Sequence, residues 1–269
     1  MKLAVIGDPI GHSRSPAIHT AAMQALGLEG SYVALRVRAP DLDDVLEQVR
    51  SGELDGINVT MPHKQSVAAR VDDLSEDARR SGSVNTVVRG AGGRLHGHST
   101  DVTALRRLWR QREVPADRPA LVLGAGGAAA AACLAAPGPT LYLSARRDDA
   151  GRDLAARIDR EVVVVPWHAA VADAVVANAT ALGMHGESLP ERVLSLASGV
   201  VDLAYGAETT PAVAWARENS LPAVDGLEIL VAQAGDAFRL WTGQEPPWQD
   251  MAEAVRNTSS PGNGQPNHA

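Results

Sequence analysis

Ala120-Leu-Val-Leu-Gly-Ala-Gly-Gly-Ala-Ala129, close to the middle of the 269-residue chain, decides the fold. Residues 121–123 are a short apolar run of the kind that fills a strand buried on both faces. Gly124, Gly126 and Ala129 follow with G-x-G-x-x-A spacing, and an alanine-rich helical stretch runs on to residue 136. The first glycine permits a tight turn, the second lets a pyrophosphate approach the backbone, and the small third residue lets helix and strand pack closely. The helix N-terminus then offers unpaired N–H groups and a positive dipole end to phosphate. A plain glycine turn shares this spacing. The strand before it, the helix after it and the strand–helix alternation downstream favour a dinucleotide site. The chain before the turn is then expected to hold a substrate, and the chain after it to complete the nucleotide site.

The length allows two modest domains with real cores. A formal charge of −7, from 25 Lys plus Arg against 32 Asp plus Glu, argues against a nucleic-acid binder, which would need a basic face. The single cysteine, Cys133, excludes an intramolecular disulfide, suits a reducing cytosol, and is expected to be a small core residue. Met1-Lys2 leads straight into a short strand, without the long apolar segment of a signal peptide. Residues 119–145 carry no charge, but glycines and prolines at 124, 126, 127 and 137–139 break the run into strand, turn, helix, turn and strand. A soluble, cytoplasmic protein is expected, with neither nucleic acid nor membrane as a partner.

Residues 3–6 read as a buried strand ending in the shaped loop Gly7-Asp-Pro-Ile-Gly-His-Ser-Arg-Ser-Pro16. Ser15 is read as an N-cap, with Pro16 at the first helical position. Capping accounts for one serine. Ser13 and Ser15 together offer two hydroxyls suited to a small carboxylate. Residues 32–37 read as a strand and 41–49 as a helix. In Gly56-Ile-Asn-Val-Thr-Met-Pro-His-Lys64, Ile57 and Val59 alternate with Asn58 and Thr60, so one strand face is apolar and the other carries an amide and a hydroxyl. Pro62 reads as a helix start, which puts Lys64 in a first turn where the dipole disfavours a cation. That position suggests a use, although a lone lysine is far more often solvated surface.

Residues 83–88 and 94–101 read as strands around a turn at 90–93. His96 and His98 share a face, as a metal pair can, but no third ligand is near and no metal site is assigned. Asp101 is read as the N-cap of a helix with Val102, Leu105, Leu108 and Trp109 inward. Beyond the glycine turn, residues 141–143 read as a strand followed by Ser144-Ala-Arg-Arg-Asp-Asp149. An acid about twenty residues past the glycines suits a ribose 2′-hydroxyl, whereas arginine suits a 2′-phosphate. Arg146 and Arg147 therefore point to NADP, and Asp148 keeps NAD open. Residues 162–165, 174–177 and 199–203 read as buried strands with polar ends at Asn178-Ala-Thr180 and Asp202, where open α/β sheets bind ligands. Leu227, Leu230, Val231, Ala234, Phe238 and Trp241 form a helical stripe, with Gln233 on its flank. Residues 249–269, rich in Pro, Gly, Asn and Ser, are expected to be a disordered tail.

Together these motifs resemble the shikimate dehydrogenase family over nearly the whole chain. The resemblance rests on the serine loop 7–16, the stretch 56–64, Gly82-Ser-Val-Asn-Thr86, Ser99-Thr-Asp101, Gly124-Ala-Gly-Gly127, Asn178-Ala-Thr180, Asp202-Leu-Ala-Tyr205, and Asp225-Gly-Leu227 with Gln233, all in matching order. It implies an α/β protein of two domains. The N-terminal α/β substrate-binding domain would span residues 1–100, completed by a returning helix at 224–248, and a Rossmann-like NADP-binding domain would span 101–223. The implied activity is the reversible NADPH-dependent reduction of 3-dehydroshikimate to shikimate in aromatic amino acid biosynthesis. By matched position, Ser13 and Ser15 would bind the substrate carboxylate, and Asn58, Thr60, Asn85, Asp101 and Gln233 its ring hydroxyls. Lys64 and Asp101 would form the catalytic pair. Ala125, Gly126 and Gly127 would lie under the pyrophosphate, flanked by Gly124 and Ala128, with Arg146 and Arg147 at the adenosine phosphate. Asn178, Ala179 and Thr180 would complete the cofactor site, and Tyr205 and Gly226 would sit near the nicotinamide and substrate.

Three positions depart from the family pattern. Ser99 stands where asparagine usually precedes Thr-Asp, and Ala145 where asparagine usually precedes the phosphate-binding arginine. Arg146-Arg-Asp148 also resembles the quinate/shikimate branch that accepts NAD. A quinate or aminoshikimate dehydrogenase using NAD or NADP therefore stays open. A non-catalytic nucleotide-binding sensor would be expected to have lost Lys64 or Asp101, and both are present. The related folate dehydrogenase architecture fits less well, because the serine loop suits a small anion rather than a pterin. Monomer and homodimer remain equal expectations.

Overall fold

The alternation of apolar runs and amphipathic stretches folds into two six-stranded sheets in the computed structural model, which describes residues 1–11 and 13–257. The first half comprises β1 (Lys2–Gly7), α1 (Ser15–Ala25), β2 (Ser31–Arg36), α2 (Leu42–Ser51), β3 (Gly56–Val59), α3 (Lys64–Ala68), β4 (Asp73–Leu74), α4 (Glu76–Ser81), β5 (Thr86–Arg89) and β6 (Leu95–His98). Its sheet order is β2-β1-β3-β5-β6-β4. β1 runs parallel to β2 and β3, while β5 is antiparallel to both β3 and β6. β3 and β6 therefore point the same way, and the segments that follow them emerge at the same edge.

The chain then crosses through α5 (Thr100–Gln111) into β7 (Ala120–Leu123), α6 (Gly127–Ala135), β8 (Leu141–Ser144), α7 (Asp148–Arg157), β9 (Val163–Val165), β10 (Ala174–Asn178), α8 (Glu191–Leu194), β11 (Ala197–Asp202), α9 (Pro211–Glu218) and β12 (Ala223–Val224). All pairs in this sheet are parallel, in the order β12-β11-β10-β7-β8-β9. That is the doubly wound order. Its direction reverses between β7 and β10, and the crevice beyond the strand ends there is where such sheets take ligands. The glycine turn leaves β7 and Asn178 closes β10, so both flank this crevice. Cys133 is buried in α6, where burial pushes its thiol up to about 12.

α10 (Gly226–Thr242) returns to the first half, followed by α11 (Trp248–Asn257). Phe238 of α10 is wholly buried in one cluster with Leu3, Ile18 and Met251. The returning helix is thus core to the first sheet rather than an appendage. α11 corrects the disordered tail expected from residue 249. Trp248, Met251 and Val255 recur at helical spacing and pack into the same cluster, so the Pro246-Pro247 break is a turn into a helix. Residues 258–269, the rest of that expected tail, lie outside the described residues. Two capping assignments are also corrected. Arg14 occupies the N-cap of α1 and Ser15 is its first helical residue, and Ser99 occupies the N-cap of α5 while Asp101 is already in the first turn. The Asp101 carboxylate is drawn instead to Lys64. Among the described residues no helix is long and apolar enough to cross a membrane.

Candidate active site

β3 delivers Lys64 and β6 delivers Asp101 to one edge of the first sheet. Lys64 opens α3, and its carbonyl accepts the Val84 N–H at 3.0 Å, which fixes the start of that helix. Lys64 Nζ lies 2.5 Å from Asp101 Oδ2, with the side chains 18% and 13% exposed. The pair is sheltered but open to a ligand.

Asn85, buried, braces the start of α5. Its Oδ1 accepts the Thr100 N–H at 2.7 Å, while Nδ2 donates to Thr100 Oγ1 at 2.9 Å and to Gln233 Oε1 at 3.3 Å. Gln233, from the returning helix, is thereby joined to the residue before Asp101. Asn58 donates to the Asn85 carbonyl at 3.1 Å and to Thr86 Oγ1 at 3.0 Å, and accepts from the Tyr32 hydroxyl at 2.6 Å. Both of its amide protons are therefore spent inside the protein, so Asn58 fixes Asn85 and Thr86 and keeps only carbonyl capacity for a ligand. Thr60 follows β3 with its methyl against Gly7, where a Cβ would come within 2.6 Å of it. Ser15 is buried, and its N–H donates to Ser13 Oγ at 3.3 Å. Burial raises the Tyr32 hydroxyl well above its usual range, with a smaller opposing contribution from Ser15. His19 stacks on Tyr32 at 4.3 Å between centroids, and burial pushes its pKa down to about 3, which keeps it neutral.

The nucleotide side meets this cluster directly. Gly124 has φ +117°, and a Cβ there would sit 2.8 Å from the Ala179 carbonyl oxygen. Around Gly126 an added Cβ would meet nothing within 4 Å, leaving open space above the turn. A Cβ on Gly127 would lie 2.5 Å from Ser83 Oγ and 3.2 Å from Lys64 Cδ. The glycine turn therefore abuts Lys64 across the cleft, with Ala128 next along α6. Open space beside free helix N–H groups suits a pyrophosphate.

Asn178 Oδ1 accepts from the Thr180 N–H at 3.1 Å and hydroxyl at 2.7 Å, and its Nδ2 donates to Asp202 Oδ1 at 2.8 Å. Asp202 is wholly buried and also accepts from the Thr210 hydroxyl at 2.6 Å. Burial outweighs these bonds and pushes its carboxyl up to about 6. Gly226, under the capping box of Asp225 and Glu228, lies so close to the Ala204 carbonyl that a Cβ would be 2.2 Å away. Tyr205 is half-buried, with Arg14 5.9 Å above its ring, and Arg14 Nη2 donates to the Gly206 carbonyl at 2.6 Å. The serine loop is thus tied to the Tyr205 loop.

Arg146 and Arg147 stand apart from this cluster, exposed at the end of β8 beside the buried Ala145. His96 Nδ1 faces Asp73 at 3.5 Å, and among the described residues no three His, Cys, Asp or Glu gather as a metal set. Sequence reasoning gave no role to Thr100, Thr86 and Tyr32. Both threonines sit inside quoted motifs, whereas nothing in an alternating strand singles out Tyr32.

Comparisons with known proteins agree with this geometry. Residues 5–87 match the family model described as the shikimate dehydrogenase substrate binding domain, and residues 226–256 match the shikimate 5′-dehydrogenase C-terminal domain. The chain is 38% identical over 265 residues to a shikimate dehydrogenase (NADP(+)) of Anaeromyxobacter sp. (strain Fw109-5), covering 93% of this chain and 94% of the relative. It is 39% identical over 268 residues to a shikimate dehydrogenase (NADP(+)) of Rhodospirillum rubrum, covering 93% and 95%. The crystal structure of shikimate 5-dehydrogenase from Thermus thermophilus in complex with NADP(H) and shikimate superposes with a TM-score of 0.85 at 35% identity, over 96% of this chain and 99% of that one.

Proposed function

Since the chain belongs to the shikimate dehydrogenase family, we propose that it catalyses the reversible NADPH-dependent reduction of 3-dehydroshikimate to shikimate, in aromatic amino acid biosynthesis. The observation that carries this reading is the Lys64–Asp101 pair, 2.5 Å apart, held against Gly127 of the glycine turn. NADPH supplies the hydride when bound. Lys64 stabilises the alkoxide that develops on the ketone oxygen and provides its proton, and in the reverse direction it takes the proton from the shikimate hydroxyl. Asp101 orients the ammonium and accepts from a ring hydroxyl. Asn85 and Gln233 complete the wall on that side, and Ser13 and Ser15 take the carboxylate. Thr60 faces the same pocket, and Asn58 acts mainly by fixing Asn85. Much of the expected rate then comes from alignment of donor and ketone between two rigid walls.

On the cofactor side, Gly124, Ala125, Gly126, Gly127 and Ala128 cradle the pyrophosphate and the exposed Arg146 and Arg147 take the 2′-phosphate. Asn178, Ala179 and Thr180 shape the crevice floor, and Gly226 lets Tyr205 approach the nicotinamide closely. In domain terms, residues 1–100 with 224–248 form the substrate domain, extended by α11, and 101–223 the nucleotide domain. We place the enzyme in the cytoplasm.

Loss of NADPH absorbance on adding 3-dehydroshikimate tests this reading, with 3-dehydroquinate and NADH run in parallel. Preference for 3-dehydroquinate or NADH would move the chain to the quinate/shikimate branch, and no turnover with any pair would leave a nucleotide-binding sensor.

A further inference from the structure

One cavity lies away from the catalytic cleft. A groove of about 670 Å³ lies between α5, α10 and α11, a size that suits a small organic ligand. Val231, Glu228 and Arg239 line it from α10. At 3.6 residues per turn these positions lie on the side of α10 turned away from Gln233, so the groove sits behind the active-site wall.

Its lining is richer in arginine than in acid, in a chain of net charge −7: Arg107, Arg112, Arg217, Arg239 and Arg256 face it with Asp225, Glu228 and Glu245, and Asp236 stands beside Arg107. Arg107 and Arg239 are anchored, to Asp236 and Glu245, and both guanidiniums lie near the Trp248 ring, at 4.9 and 5.9 Å. Arg217 reaches Asp225 at 3.3 Å, and Arg112 pairs with Glu228. Arg256 has no ion pair or hydrogen bond among the described residues, and it stands at the groove rim above an apolar floor of Leu227, Val231 and Ala252. One unpaired guanidinium beside an apolar floor is the complement of an aromatic ring bearing one carboxylate. Residues 258–269, which follow α11, contain no acidic or large apolar side chain, so their composition offers no such complement.

We propose that this groove is a second ligand site, for a small aromatic carboxylate, separate from the catalytic cleft. Its walls come from both halves of the molecule: Arg217 from α9 of the nucleotide half, and Arg256 from α11, which packs on α1. Asp225, the partner of Arg217, caps α10 immediately before Gly226. An anion that draws Arg217 away from Asp225 therefore acts on the helix carrying both Gly226 and Gln233, and bound ligand changes turnover without competing with substrate.

Calorimetry with naphthalene-1-carboxylate tests this on the full chain saturated with shikimate and NADPH, two ligands that cannot react with each other, so that the catalytic cleft is filled. The expected result is one saturable site, with affinity at least about tenfold weaker in Arg256→Glu and several-fold weaker in Arg256→Ala, as for a lost charge-assisted contact. The neutral naphthalene-1-carboxamide is expected to bind at least about tenfold more weakly. Arg256 is exposed near the end of α11, so both variants should keep wild-type melting and basal turnover. Absence of binding to the saturated protein, or equal binding by wild type and Arg256→Glu, would overturn the proposal. So would binding that strengthens tenfold in a chain ending at residue 257, which would assign the groove to the chain's own terminus.

Discussion

Replacing Lys64 with methionine removes the ammonium but keeps a stem of similar length. That distinction matters because the lysine methylenes, not its charge, lie beside Gly127, where an added Cβ would be 3.2 Å from Cδ and 3.4 Å from Cβ of Lys64. The glycine turn should therefore stay in place, and NADPH affinity with it. The lost interactions are those of Nζ: 2.5 Å to Asp101 in the resting enzyme, and to the alkoxide during reaction. One preorganised donor to a developing oxyanion is worth about 10²–10³ in rate, roughly 2.7–4 kcal/mol, and proton supply contributes a similar factor that overlaps with it. We expect kcat to fall by at least about a hundredfold, with KM for 3-dehydroshikimate changed only a few-fold. Folding stability should fall by about 1–3 kcal/mol, because Asp101 is left sheltered without its partner. Steady-state kinetics in both directions, with thermal melts to separate misfolding from lost chemistry, measure each quantity. A variant with nearly normal kcat and only a raised KM would refute the argument, reducing Lys64 to a binding residue.

Arg146→Ala should weaken NADPH by about 1–3 kcal/mol and leave NADH almost untouched; equal losses for both would remove the 2′-phosphate assignment. Gln233→Ala should weaken shikimate binding and spare NADPH in calorimetry, since Gln233 is hydrogen-bonded to Asn85 at 3.3 Å and to the Leu230 carbonyl at 2.8 Å, on the substrate side. The Asp202 carboxyl titrates at about 6 when folded against an ordinary 3.8, so the unfolded chain releases its proton first and stability falls by about 3 kcal/mol as pH rises between those values. Asp202→Asn should abolish that fall, visible as melts that gain on wild type from about pH 4 to 6 and run level above it. His19 has the opposite sign: its folded pKa of about 3 lies below 6.5, so its contribution is fully present above pH 6.5 and is lost as pH falls toward 3. His19→Phe should flatten that acid-side loss in denaturant titrations, and an unchanged slope would show that His19 can charge in place.

The nucleotide half was legible because its signals are local. A strand, a glycine turn and a small-residue helix follow one another within residues 120–135, and packing does not alter what those residues must do. The return of α10 was legible for a different reason: Gln233 lies far along the chain from the other substrate groups and had to come back to meet them. Local capping rules failed at two helix starts: Asp101 has the residue type of an N-cap but turns to the tertiary partner Lys64, and Ser15 lies in the helix proper, its N–H donating to Ser13 Oγ. α11 was hidden by the Pro and Gly around residues 243–247, although Trp248, Met251 and Val255 carry its apolar face. The bracing by Tyr32, Thr86 and Thr100 had no sequence signal, because it depends on strand register bringing Asn58 opposite Thr86. The same register shows why the Asn58 amide protons are committed inside the protein.

The most direct measurement follows the hydride itself. The enzyme is incubated with 3-dehydroshikimate and NADPH deuterated at the transferable position of the nicotinamide, and the product is examined by NMR. Direct hydride transfer gives shikimate with deuterium on the newly formed carbinol carbon, accumulating in wild type and suppressed at least about a hundredfold in Lys64→Met. Unlabelled shikimate, or no shikimate while NADPH binding remains intact, would contradict it.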